Sequence, residues 1–257
     1  MTNTGFFRKK DQFLWYAAGV LIIILVWELA SRLFGSNLIF PGPVPVLKEL
    51  IGLMHDRNFL SSLGSTFLRV ILGMVISVPL GLVCGIMAGL DKRAAAFFRP
   101  LFSLISATPV MSVILIAFLF LGAEKTPVFT AFLMVFPVMA ANSAEGIRRV
   151  DPLLIETFQV YKMTGKEKLE LLYIPSIVPF ILGGLESSLS LCWKVVVAAE
   201  VLVQPLRSLG TGMQQAKSRL ETPQLFAWTL VTVISAALLQ GLIGLMLKLP
   251  LLKRGHR

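Results

Sequence analysis

The sequence predicts an all-α, polytopic membrane protein: six membrane-crossing helices, with one structured cytoplasmic loop between the fourth and the fifth. Three observations carry this reading. Hydrophobic residues make up 56% of the 257 positions and charged ones 15%, against roughly 45–50% and about 25% in soluble domains. Six apolar runs have about the length a helix needs to cross a hydrocarbon core, and together they take up over half the chain. Lys and Arg collect at the ends of those runs, and mostly on one side. This composition excludes a disordered chain, which needs the opposite bias, and it leaves no room for a large soluble domain.

The first span is 13–34. Arg8, Lys9 and Lys10 precede it as they would a signal peptide. Its apolar run is too long for a signal core and no small-x-small cleavage site follows, so it is read as a retained anchor. Pro41, Pro43 and Pro45 then bar a continuing helix. Beyond them Leu47, Leu50, Ile51 and Met54 recur at helical spacing, which predicts a short amphipathic helix on the outer surface with those residues as its apolar face.

The second span is 66–90. It carries Pro79 and the stripe Gly81-x-x-x-Gly85-x-x-x-Gly89, a device for close helix packing. The third span, 100–121, contains Thr108-Pro109, and the fourth, 127–144, contains Pro137 and Asn142. Each proline frees a backbone carbonyl. Residues 122–126 make a very short outer loop that sets the third and fourth spans as an antiparallel pair. The fifth span is 177–203 and the sixth 226–247.

With the N-terminus cytoplasmic, fifteen Lys and Arg lie on the inner side and six on the outer, leaving aside Arg32, Arg69 and Lys194 in or beside spans. Both termini are then cytoplasmic. The net charge of +10 follows this membrane pattern, and no aromatic-basic interleaving points to nucleic acid. Cys84 and Cys192 sit in apolar runs and read as small buried side chains. No Cys/His cluster suggests a metal, and His55 and His256 have no ligand companions.

The cytoplasmic loop, 145–176, is far more charged than its surroundings. Asp151-Pro152 reads as an N-cap followed by the first helical residue. Gly165 breaks the segment into two short helices, Leu169, Leu172 and Tyr173 make an apolar stripe, and Pro175 ends it. Antiparallel spans need only a few connecting residues, so about 30 structured ones predict a docking surface. The other reading is an amphipathic segment resting on lipid headgroups.

Here the chain resembles the permease subunit of bacterial binding-protein-dependent ABC importers. Their cytoplasmic loop reads Glu-Ala-Ala, then Gly four residues after the last Ala, then Ile-x-Leu-Pro. Glu156 and Pro175 hold the pattern's nineteen-residue spacing, with Leu172 and Ile174 at its apolar positions. Thr157 and Phe158 replace the alanines. Lys162 replaces the glycine, with Gly165 three residues on. Thr66-Phe67-Leu68-Arg69, Pro79-Leu80-Gly81, Pro41-Gly42-Pro43, Asn142, Gly146, Val150-Asp151-Pro152, Trp193, Ala199-Glu200 and Leu209-Gly210 also fall where the family has them. The resemblance spans roughly 35–250 and is closest to the branch importing nitrate, sulfonates, taurine or thiamine precursors. Glu186 departs from that branch, which often has Arg there.

The resemblance implies the type I ABC importer permease fold. It also implies two permease copies, two cytoplasmic ABC ATPases and one external solute-binding protein. No GxxxxGK[ST] run occurs, so ATP and Mg would be held by the ATPase and no cofactor by this chain. A chain of this size cannot enclose a polar path alone, and a homodimer is expected. Tyr161, Lys162, Met163, Thr164, Gly165 and Lys166 would form the coupling helix that enters a groove on the ATPase. Glu156 would fix the loop. Lys162 and Lys166 would pair with acidic groups there, or serve only as positive-inside residues.

Ionisable groups inside spans are expensive and mark pathways or structural pairs. On an ideal helix Glu186 and Glu200 lie about 40° apart, with Lys194 to one side, so the glutamate face is expected to look into the bundle or the dimer. Candidate path residues are Thr108, Asn142, Glu186, Trp193 and Glu200. For the glutamates the competing role is a structural polar cluster, and for Trp193 packing. Alternatives to the importer are a secondary transporter or channel working without an ATPase, and an integral-membrane enzyme. For the latter no catalytic constellation stands out.

Overall fold

The structure is a computed structural model and describes residues 9–36 and 38–254. Arg8, His256 and Arg257, used above, lie outside the described residues. Every element among the described residues is helical: α1 (Lys9–Phe34), α2 (Pro43–Met54), α3 (Phe59–Leu90), α4 (Lys92–Ala107), α5 (Val110–Arg148), α6 (Pro152–Val160), α7 (Gly165–Lys168), a π-helical turn Leu169–Tyr173, α8 (Ile174–Val203), α9 (Leu209–Ser218) and α10 (Thr222–Arg254). Among the described residues five helices are long and apolar enough to cross a membrane: Leu14–Phe34, Phe59–Leu90, Val110–Arg148, Gly165–Val203 and Thr222–Leu245.

α3, α5 and α8 form the core of the bundle, with α5 packed between the other two. The glycine stripe explains the closeness of α3 and α5. A Cβ on Gly81 would stand 2.5 Å from the Met139 Cβ, and one on Gly85 would run into the Ala140 carbonyl oxygen. Ser77, Thr130 and Ser143 are fully buried at this interface. Each turns its hydroxyl back to the carbonyl four residues earlier, which spares it an unpaired polar atom in an apolar surround. Pro79 and Pro137 sit inside α3 and α5.

Four expectations change. The predicted third span, 100–121, is split. α4 ends at Ala107, Thr108 is extended at φ −76, ψ 126, and α5 starts beyond Pro109. Proline crowds the residue before it out of the helical region and has no N–H to offer. The predicted 122–126 loop shrinks to one residue. Gly122, at φ 71, ψ 175, bends the chain within α5, and the helix resumes at once. That φ is open to glycine and strained for a side chain.

The outer helix α2 forms as predicted, but with a different face inward. Val46 and Leu53 are buried while Leu47, Ile51 and Met54 are exposed. Its partner is α10, and Val46, Leu50 and Leu53 make an apolar row as regular as the predicted one. Finally, Pro175 does not end the cytoplasmic segment. The chain passes from α7 through the π-helical turn into α8, with Pro175 at the second position of α8. The wider π turn accommodates a ring that an α-helical turn would reject.

α1 stands apart. None of its apolar window is buried, and it is fastened only near its end, where the Trp27 indole donates to the Pro41 carbonyl at 2.9 Å and stacks with Phe226.

Candidate functional site

Three regions hold the residues singled out from the sequence. The first is a buried charge cluster where α3, the Gly122 bend of α5 and the last turn of α8 meet. Thr66 and Arg69 lie one turn apart on α3 and face the last turn of α8. The Arg69 Nη1 donates to Glu200 Oε1 at 2.9 Å and to the Arg207 carbonyl at 3.0 Å, and its Nη2 donates to Glu124 Oε2 at 2.6 Å. The Thr66 hydroxyl is shared between both Glu200 oxygens at 3.0 and 2.9 Å and accepts from the Leu209 N–H. Leu206 N–H donates to the other Glu124 oxygen at 2.8 Å.

Glu200 is 0% exposed, whereas Glu124 is largely open to solvent. Gln204, left-handed at φ 48, reverses the chain after α8. Gly210 can then lie so close that a Cβ would meet Glu200 Cβ and Val201 N at 2.5 Å. One guanidinium thereby fastens α3, α5 and the α8–α9 turn together. Its fork geometry suits this task.

The second region is a groove between α8 and α10. Glu186 lies exposed in the first half of α8 beside Leu189, Gln240 and Gly244. Ser190, Trp193, Lys194, Thr232 and Gln240 line the adjoining stretch. Lys194 is exposed mid-helix, and Trp193 is 3% exposed, edge-on to Phe67 at 5.1 Å. Its indole N–H and the Ser188 hydroxyl have no partner among the described residues. The face that Glu186 and Glu200 share on an ideal helix therefore meets two environments: Glu200 looks into the bundle, and Glu186 looks out along α10. The neighbours of α8 change along its length, so angle alone does not fix burial.

Asn142 is half-buried where Gly184 of α8 presses on its Cβ, and Thr108 caps α4 at the break before α5. Thr108 is not brought to the groove. Sequence reasoning set aside Lys194 and left Arg69 at the membrane interface. It named Thr66 only within the family-like Thr66-Phe67-Leu68-Arg69 run, and it did not single out Glu124 or Gln240. The signal for Thr66 and Arg69 was their three-residue spacing on one face of an apolar helix.

The third region is the cytoplasmic loop. Asp151 Oδ1 accepts the Leu153 N–H at 2.9 Å and starts α6. Glu156 is exposed on α6, without a hydrogen-bond partner among the described residues. Leu153, Val160 and Tyr161 are all exposed, Tyr161 to 75%. Lys162 takes a left-handed φ of 50, the conformation for which glycine is the default. Met163 is half-buried, while Thr164, Gly165 and Lys166 are exposed.

Thr164 caps α7 in a capping box with Glu167: each side chain bonds the other's backbone N–H, at 3.3 and 2.7 Å. Thr164→Ala is expected to speed hydrogen exchange of the Glu167 amide about fivefold, the effect of a lost cap of about 1 kcal/mol. Unchanged exchange would show that the box carries nothing.

No group of three His, Cys, Asp or Glu placed to hold a metal occurs among the described residues.

Comparison with known proteins follows the same lines. Residues 77–249 match the model of the family described as the binding-protein-dependent transport system inner membrane component. A protein of Brucella melitensis, named a probable ABC transporter permease protein, is 30% identical over 80% of this chain and 81% of its own length. The taurine transport system permease protein of Escherichia coli is 27% identical over 86% of this chain and 83% of its own. A chain from the MetNI methionine ABC transporter, solved in inward-facing conformations, superposes with a TM-score of 0.57. It is 14% identical over 75% of this chain and 94% of that one, a likeness of fold.

Proposed function

The chain belongs to the family of binding-protein-dependent transport system inner membrane components, and from that membership we propose how its three regions serve transport. It is the multi-pass inner-membrane permease of an ABC importer and is not itself the catalytic subunit. The match over residues 77–249 carries this conclusion, and the ATPase-independent alternative is not favoured.

The finer reading is ours. Six crossings are made, the third by the second half of α4 and the first twelve residues of α5, broken at Thr108–Pro109. An even number agrees with the excess of cytoplasmic Lys and Arg and with both termini inside. The exposed charges Glu186 and Lys194 have no place against lipid tails. They support a polar path along the α8–α10 groove, completed by a second copy of the chain. A small solute delivered by an external binding protein would pass there, driven by two ATPases holding ATP and Mg.

The loop residues Glu156 and Tyr161–Lys166 couple to the ATPase. The exposed apolar tip at Val160 and Tyr161 supports a docking role, because exposed aromatic side chains of this kind anchor interfaces. Purification of the tagged permease in mild detergent, with mass spectrometry of its companions, is expected to recover an ATPase in equal amount. Recovery of the permease alone, even crosslinked with ATP trapped, would remove the coupling role. Tyr161→Ala is expected to weaken ATPase retention by about tenfold or more while leaving the fold intact. Retention equal to wild type would place the contact elsewhere.

A further inference from the structure

At the cytoplasmic end of the bundle, α3, α4 and α5 enclose an open cavity of about 720 Å³. One face of α4 supplies Lys92, Arg99, Ser103 and Ser106 to it, at the three-, four- and seven-residue spacings that stack side chains along a helix. Arg148 enters from α5. The far wall is small, made by Ala140 and its neighbours.

Among the described residues no carboxylate lies within 4.0 Å of Lys92, Arg99 or Arg148. Arg148 bonds only the Ala88 carbonyl, at 3.3 Å. Glu145 also borders the cavity, but its carboxylate is taken by Arg149 at 2.7 Å. Three cations thus converge on a concave site with no anion of the chain to meet them. The other face of α4 is apolar and exposed at Phe97, Leu101 and Leu104. On the cavity wall itself, Phe102 gives a ligand apolar surface beside its charged end.

We propose that this cavity binds the phosphodiester headgroup of an anionic phospholipid of the inner leaflet. Guanidinium and ammonium groups pair with phosphate oxygens, and basic pockets between helices on the cytoplasmic side suit such headgroups. The hydroxyl of Ser103, one turn from Arg99, donates to a remaining oxygen, and the acyl chains leave the cavity past Phe102 on its wall. The proposal rests on the cytoplasmic placement of α4 and not on the path along α8.

The test uses the intact transporter, delipidated in mild detergent and exposed to mixtures of phosphatidylglycerol and phosphatidylcholine, with bound lipid read by native mass spectrometry. Phosphatidylglycerol is expected to be retained at about one per permease, in preference to phosphatidylcholine. Losing each cation weakens retention by about fivefold, so Arg99→Gln with Arg148→Gln lowers it more than tenfold. Arg93→Gln, on the same helix but outside the cavity, leaves retention unchanged. Millimolar inorganic phosphate does not displace the lipid.

Equal retention of the two lipids overturns the proposal. So does equal loss in Arg93→Gln, which would make the effect general surface charge. Displacement by inorganic phosphate overturns it in favour of a soluble anion. The wild-type preference is measured first and stands even if the double variant does not assemble.

Discussion

Replacing Glu200 by alanine lowers the stability of the folded permease by about 3–5 kcal/mol, the cost of stranding a buried charge. The Arg69 guanidinium then keeps only the Arg207 carbonyl and the partly solvated Glu124. The Thr66 hydroxyl and the Gly210 N–H lose their acceptor as well. The measurement is the unfolding midpoint in mixed detergent micelles. Arg69→Met is expected to be similarly damaging, because it leaves Glu200 uncompensated.

The double variant Arg69→Met, Glu200→Leu removes both charges. It recovers much of the loss, since Glu124 faces solvent and is readily hydrated. That recovery distinguishes a structural brace from a solute contact. If Glu200 instead touches the transported molecule, Glu200→Ala will change transport while its midpoint stays within about 0.5 kcal/mol of wild type, the usual range for positions that carry no structure.

Gly85→Ala separates α3 from α5. The added methyl would occupy the place of the Ala140 carbonyl oxygen and lie 2.6 Å from the Ser143 Cβ. Both obstacles belong to a helix held at both ends, so neither can swing aside. Overpacking of this kind costs about 1–3 kcal/mol, and Gly81→Ala, against Met139, belongs to the same class. Gly64 is the internal control, since a Cβ there meets nothing within 4 Å. Gly64→Ala stabilises the helix by about 0.5–1 kcal/mol through its lower conformational entropy cost. Equal effects at positions 64 and 85 would mean that the stripe is not a packing surface.

The presence of several membrane-length apolar helices was legible because hydrophobic length is local, and so was the glycine stripe, whose four-residue period is a property of one helix. The start of the cytoplasmic loop was legible in Asp151-Pro152 for the same reason. The left-handed backbone at Lys162 was visible only as a position where the resembling family places glycine. The inward face of α2 was not legible. Val46, Leu50 and Leu53 compete there with Leu47, Ile51 and Met54, and only the position of α10 chooses between them. The break at Thr108–Pro109 was written in the sequence, as a proline, but a proline inside an apolar run either kinks or ends a helix. Pro79 and Pro137 stayed inside helices, and Pro109 did not.

The charged residues show the same division. By itself the sequence determined that this chain lives in a membrane and which family it resembles, because burial in hydrocarbon acts through composition and short-range pattern. Only the tertiary structure decided which charges meet. Arg69 and Glu200 are 131 residues apart in the chain and 2.9 Å apart in space, and Glu124 joins them through a single bend at Gly122. Ion pairing depends on distance in space, which helix packing sets and sequence spacing does not record.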